Sequence, residues 1–396
     1  MHKLPPLWLF FFIASISQSS ETIFASALTD LADNLSLSIN LAQLCSAVYL
    51  CGFTIGVFSL GRLSDLFGRK KIIIFGTIVY FIFSFLISIS SSVYLLFVFR
   101  FFQAIGVSAC SVLPQAIARD CYSGRDLAKI YGMISFAICL VPTFASSIGG
   151  FVVEHFSWRE NVQLMCILAL CALAACVFFL PETLHLRQID RTISFRRIAI
   201  IMLKDPKVLS YAVISGISIG MLSSFIIEFS VTFIKLLGIR PSIYGMLNIV
   251  ITLSMLIGNA LNIFLNAKFI SPQTIIHYGT LMSVIGCSII LFAGVYSFYF
   301  SDFTKLLAAL LLIGRMAQGL GHIIMMPSIL SLALTRYKQF TGSATALFNS
   351  SYYFVITIIS CLTSYLHSDT DLLKFSIMIF FLSCINYILF ARLKNL

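Results

Sequence analysis

The sequence predicts an all-α membrane protein with twelve transmembrane helices in two pseudo-symmetric bundles of six, and three observations lead there. Of 396 residues, 59% are hydrophobic and only 10% charged, with a mean hydropathy of +1.01, a composition that a water-facing globular surface does not carry. Apolar runs of about 20 residues, enough to cross ~30 Å of hydrocarbon, recur along the whole chain. The fourth and tenth of these runs share one pattern of arginine, glutamine and glycine.

In the first half the runs read Leu7 to Leu28, Leu41 to Leu60, Ile72 to Ser91, Leu95 to Ile117, Ala128 to Phe151 and Val162 to Leu180. In the second they read Val208 to Phe229, Ile243 to Leu265, Thr274 to Val295, Leu306 to Pro327, Ala344 to Leu366 and Leu372 to Phe390. Lys3, the first run and Ala25-Ser26-Ala27 also satisfy the crude grammar of a signal peptide, but removing that run leaves an odd count and unpairs the halves. The longest polar interval, Pro181 to Pro206, carries Arg187, Arg191, Arg196, Arg197 and Lys204. It divides the chain into an N-terminal bundle over 1–183, a cytoplasmic linker over 184–206 and a C-terminal bundle over 207–396.

With the amino terminus in the cytoplasm, most of the 26 lysines and arginines fall inside, among them Arg62, Arg69, Lys70, Lys71 and the linker cations. Arg159, Lys235, Arg240, Lys305 and Lys374 fall outside. Both termini are therefore expected to be cytoplasmic. The net charge of +11 reports orientation; its scatter among short loops argues against a nucleic-acid partner. The eleven cysteines lie nearly all within runs, have no metal-ligand spacing and read as small apolar fillers. No nucleophile, base and metal constellation appears, so neither an enzyme nor a bound cofactor or metal is expected.

The internal pattern is specific. Arg100-Phe101-Phe102-Gln103-Ala104-Ile105-Gly106 leads to Pro114, and Arg315-Met316-Ala317-Gln318-Gly319-Leu320-Gly321 leads to Pro327, with one constant offset (315 − 100 = 318 − 103 = 321 − 106). Parallel repeats about an axis along the membrane normal give this signature, and they place a substrate near the midplane between the halves.

The loop after the second run reads Gly61-Arg62-Leu63-Ser64-Asp65-Leu66-Phe67-Gly68-Arg69-Lys70-Lys71, of the form G-x-L-x-D-x-x-G-R-K. Gly61 and Gly68 permit tight turns or close helix approach. Asp65 offers a carboxylate to a helix amino terminus or an arginine, and Arg69 with Lys70 suits anionic headgroups. The segment resembles the signature loop between the second and third helices of major facilitator superfamily transporters. The resemblance implies a conformational latch formed by Gly61, Asp65, Gly68, Arg69 and Lys70, with Arg119 and Asp120 as its counterpart at the end of the fourth helix. In the second half the corresponding loop, Asn266 to Pro272, lacks the pattern.

Charges inside lipid cost ~3 kcal/mol or more and persist where they face a cavity or one another. Glu21, Arg100, Glu228 and Arg315 lie within runs. At ~1.5 Å rise per residue, Glu21 lies ~10 Å and Arg100 ~8 Å below the outer ends of their helices, at a shared depth that allows them to pair. Desolvation and the arginine then pull the proton affinity of Glu21 in opposite directions. Glu21, Arg100 and Glu228 are the proton-coupling candidates, although Glu228 sits close to its outer end, where an interfacial carboxylate is the competing reading. Gln103, Asn259, Arg315, Gln318, Asn349 and Tyr352 are candidates for a substrate cavity, set against the alternative of interhelical hydrogen bonds.

In the fifth run, Pro142 with Gly149-Gly150 resembles the helix-5 motif of exchangers, although Ser146 replaces its second proline. Together with Glu21 followed by Asp33, the Arg100-Phe101-Phe102-Gln103 entry to the fourth run, Arg119-Asp120, Ser157-Trp158-Arg159 and Pro181-Glu182-Thr183-Leu184, these features resemble the bicyclomycin- and chloramphenicol-resistance (Bcr/CflA) branch of drug:proton antiporters. That resemblance implies a monomeric, multi-pass carrier of a bacterial inner membrane, partnered by small-molecule cargo, protons and lipid. Export of amphipathic compounds against protons by alternating access is the implied activity; a carrier of a sugar, amino acid or similar nutrient is the alternative, and a non-transporting membrane sensor a third.

Overall fold

The computed structural model describes residues 4–122, 124–184, 195–268, 270–299, 304–335, 337, 341–368 and 372–394. Among the described residues there is no strand, and the chain divides into two compact units, Met1–Ser194 and Phe195–Leu396. Unit 1 holds α1 (Leu7–Ser26), α2 (Leu28–Asn34), α3 (Ile39–Phe67), α4 (Arg69–Ile89), α5 (Val93–Cys121), α6 (Gly124–His155) and α7 (Trp158–Phe179). Unit 2 holds α8 (Phe195–Lys204), α9 (Pro206–Val231), a π-helical turn (Thr232–Leu236), α10 (Pro241–Ala267), α11 (Pro272–Tyr299), α12 (Thr304–Leu334), α13 (Thr341–Leu366) and α14 (Leu373–Lys394).

Twelve of these helices are long and apolar enough to cross a membrane, and they coincide in order with the twelve apolar runs. The remaining two, α2 and α8, are too short to do so. Within the linker read over 184–206, α8 fills the later part; Arg187 and Arg191 lie outside the described residues.

Local chemistry sets the helix ends. Ser157 and Glu160 form a capping box at the start of α7, whose first amide, Trp158 N–H, donates to Asp30 Oδ2 at 2.8 Å. Asp205 accepts from Lys207 N–H and precedes Pro206 at the first position of α9. Helix α3 runs seven residues beyond the apolar run that predicts it (67 − 60 = 7), through the charged loop signature, and stops at Gly68, whose φ of 108° favours glycine.

The faces are reversed relative to a soluble helix. In α4, Phe75, Ile78, Ile82, Phe85 and Ile89 form an exposed stripe at i, i+3 and i+4 spacing, while Gly76, Thr77, Tyr80 and Ser84 are buried. Large apolar residues outward and small or polar ones inward is what lipid selects. The two units repeat one packing scheme. In unit 1, α3 and α4 pack on α5, α1 on α6 and α4 on α7; in unit 2, α10 and α11 pack on α12, α9 on α13 and α11 on α14.

Glycines permit the closest of these contacts. A Cβ on Gly106 would lie 2.6 Å from Gly76 O, and one on Gly279 would lie 2.7 Å from Gly321 O, so α4 meets α5 as α11 meets α12. Gly149, from the helix-5 motif, sits where α6 meets Ile23 and Ser26 of α1, and its carbonyl accepts from Asn161 Nδ2 at 3.1 Å.

Candidate functional site

Three clusters of buried polar side chains stand out, and the first surrounds Arg100. The repeat on α5 places Arg100 and Gln103 one turn apart, and Arg100 Nη1 donates to Gln103 Oε1 at 2.6 Å. Gln103 Nε2 passes the link to Ser84 Oγ on α4 at 2.7 Å. The guanidinium also stacks on Phe24 of α1 and Tyr49 of α3, 3.7 and 4.3 Å from their ring centroids. Glu21, one turn before Phe24, acts electrostatically on Arg100 but does not approach it within the 4.0 Å of an ion pair. The pairing expected from their shared depth is therefore replaced by an amide and two aromatic faces, which hold the cation where the acid does not reach. Glu21 Oε1 is buried with no hydrogen-bond partner, as are the hydroxyls of Ser20, Tyr49 and Tyr80. Gln103 is spent on this interhelical link.

The second cluster gathers the loop signature. Arg69 opens α4 and is 3% exposed; its Nε bonds Asp120 Oδ2 at 2.8 Å, its Nη2 Asp65 Oδ1 at 2.7 Å and its Nη1 Ser64 Oγ at 2.6 Å. The Glu182 carboxylate accepts from the amides of Arg69 (2.9 Å), Lys70 (3.2 Å), Thr183 (2.9 Å) and Leu184 (3.0 Å). It thus caps the positive end of α4 and leaves no room for a side chain at Gly68. Burial pushes the Glu182 carboxyl up, and the four amides outweigh it, holding it below its ordinary 4.5. Lys70 Nζ donates to Val177 O at 2.8 Å, so its ammonium caps a carbonyl near the end of α7.

Of the expected latch residues, Gly68, Asp65, Arg69, Lys70 and Asp120 come together. Gly61 lies buried on α3, with Val112 Cγ1 of α5 3.6 Å from where its Cβ would be. Arg119 does not join: one position along the helix it points elsewhere, and its Nε donates to Tyr131 Oη on α6. In the sequence Glu182 stands out only within Pro181-Glu182-Thr183-Leu184; the signal that reveals its role is an acid beyond a helix end that folds back to a basic helix start.

The third cluster lies in unit 2. Arg315 Nη1 donates to Gln318 Oε1 at 2.6 Å and the guanidinium lies 4.8 Å from the Phe225 ring, which repeats the seat of Arg100. His322 meets Ser218 at 2.8 Å. Glu228 is 2% exposed, and both its oxygens lie 2.9 Å from His367 Nδ1. Glu228 stands near the end of α9, and a histidine just past α13 allows the carboxylate to be buried there. Neither histidine stood out in the sequence, since each is isolated from its partner by more than a hundred residues. Asn259 of α10 and Asn349 and Tyr352 of α13 are half-buried, and none joins the arginine seat; the Tyr352 ring lies tilted against Tyr353, with centroids 4.7 Å apart.

Comparison with known proteins agrees with this architecture. The family model described as Major Facilitator Superfamily matches residues 10–360. An uncharacterized transporter of Rickettsia bellii is 31% identical over 92% of this chain and 91% of its own. A bicyclomycin resistance protein homolog of Haemophilus influenzae is 26% identical over 88% of this chain and 86% of its own. Among solved structures, a peptide transporter POT in complex with sulfate shares the fold, with a TM-score of 0.75 at 15% identity over 98% of this chain and 93% of the other. The chain therefore belongs to the major facilitator superfamily, as a multi-pass membrane transporter and not an enzyme.

Proposed function

We propose that this protein exports small amphipathic compounds across a bacterial inner membrane in exchange for protons, by alternating access. The observation that carries the reading is Glu21: a carboxylate within a membrane helix, near a buried arginine yet outside ion-pair distance of it. Arg100 donates through Nη1 to Gln103 and lies over Phe24 and Tyr49, while its Nε and Nη2 and Glu21 Oε1 have no hydrogen-bond partner, so Glu21 is not locked in an ion pair and can take up and release a proton. The likeness to a bicyclomycin resistance protein homolog supports drug-like cargo, and the bacterial relatives support the inner membrane. The segment Pro142 to Gly150, with a proline inside α6 and Gly149 packed against α1, supports exchange. In this reading both termini lie in the cytoplasm, as the distribution of basic loops supports, and the Arg69, Asp65, Asp120 and Glu182 cluster serves as a latch on that side.

Proteoliposomes with an acidic lumen test this. Cargo is expected to accumulate inside, an uncoupler to abolish the gain, and Glu21→Gln to reduce pH-driven uptake about tenfold or more, ~1.4 kcal/mol of lost driving interaction. Unchanged rate and pH dependence in Glu21→Gln would refute the coupling assignment. A panel pairing hydrophobic drugs with labelled sugars and amino acids separates export of amphipaths from metabolite carriage.

A further inference from the structure

The two arginine seats are built alike and completed differently. In both, an arginine donates to a glutamine at 2.6 Å and lies over a phenylalanine from the first membrane helix of its unit, Phe24 in one and Phe225 in the other. Three residues before Phe24 stands Glu21; three residues before Phe225 stands Leu222. The acid of unit 1 has no counterpart there.

The glutamines differ as well. Because Gly76 faces Gly106 as Gly279 faces Gly321, Ser84 corresponds to Cys287 (84 − 76 = 287 − 279). Gln103 Nε2 has Ser84 Oγ as acceptor, whereas Gln318 Nε2, fully buried beside a thiol position, has none. Among the described residues no carboxylate lies within 4.0 Å of Arg315, since Glu228 is paired with His367. The titratable groups around Arg315 are Tyr244, Cys287 and His322, and none of them is a carboxylate. Gln318 Nε2, a buried amide donor with no acceptor, stands beside a buried guanidinium with no carboxylate within 4.0 Å, and an oxyanion would complete that pair.

We infer that Arg315 and the Nε2 amide of Gln318 form a receptor for an acidic group of the cargo, so that the amphipaths carried include carboxylic acids. The planar fork of the guanidinium matches a carboxylate, and the adjacent amide adds a third donor. Phe225 supplies an apolar wall beside the charge. This rests on the reading of the protein as a carrier of amphipathic molecules and names the chemical class.

The test is binding to the purified full chain, without any pH gradient, of pyrenebutyrate and its uncharged amide, followed by pyrene fluorescence. Wild type is expected to bind the acid about tenfold more tightly than the amide, equivalent to ~1.4 kcal/mol. In Arg315→Gln the ratio should fall to about one, and Gln318→Leu, which removes the buried amide donor, should lower it as well. Arg315→Lys, keeping the charge, should retain part of the preference. Equal affinity of wild type for the two probes, or a preserved ratio in both Arg315→Gln and Gln318→Leu, overturns the anion receptor while leaving proton-driven export standing. Suppression of acid binding by chloride or phosphate at millimolar level, with no preference between the probes in their absence, assigns the site to a free counter-ion and also overturns it. Binding of neither probe overturns the amphipath reading together with this one.

Discussion

Arg69 answers to four partners at once, and the buried one governs its stability. Asp120 is 4% exposed beside it, while Asp65 is 30% exposed. Removing a buried partner strands the other charge, so Asp120→Ala is expected to cost about 3 kcal/mol, against about 1 kcal/mol or less for Asp65→Ala, as read by thermal unfolding in detergent. Arg119→Ala, outside the cluster, should leave the latch bonds in place. Glu182 adds a pH dependence. Its folded pKa lies below the ordinary 4.5, so its stabilisation is fully present above that value and disappears as pH falls through the lower folded one. The stability gap between wild type and Glu182→Gln should therefore be constant from pH 7 to about 5 and close on further acidification; a gap that widens in acid would contradict the capping geometry. At this scale the sequence was legible where residues cluster. Asp65, Gly68, Arg69 and Lys70 lie within one turn or two of each other, so spacing alone announces them. Glu228 and His367 are 139 positions apart, and no local period links them.

Helices were legible as lengths of grease and not as hydrogen-bonded objects. Hydropathy ends the second run at Leu60, since charges follow, yet the backbone ladder of α3 continues to Phe67 because nothing before Gly68 breaks it. The short helices α2 and α8 and the π-helical turn after α9 fall below the window that detects a membrane span. Gly106 and Gly321 were visible as repeated letters, while their reason, backbone contact with Gly76 and Gly279, depends on which helices become neighbours. Those contacts are to backbone atoms that cannot yield. Gly106→Leu should lower stability by about 3 kcal/mol or prevent accumulation of folded protein, measured by unfolding midpoint and monodisperse yield. Gly132, with nothing within 4 Å of its would-be Cβ, should accept alanine without loss.

Across the whole molecule, duplication followed by divergence of charge is the feature that ties architecture to transport. Each unit keeps the Arg-Gln pair and the aromatic wall; unit 1 adds an acid near its arginine, and unit 2 pairs its acid with a histidine instead. The repeat itself was readable from a constant offset, but the fate of each arginine was not, because neighbouring helices supply Phe24, Tyr49, Ser84 and Phe225. The central claim, that Glu21 is the group that exchanges a proton for cargo, is tested most directly by cargo-induced proton release from detergent-solubilised protein in weakly buffered solution, read with a pH-sensitive dye. Addition of a transported amphipath should acidify the medium with wild type and leave it unchanged with Glu21→Gln; equal proton release from the two proteins would contradict the account.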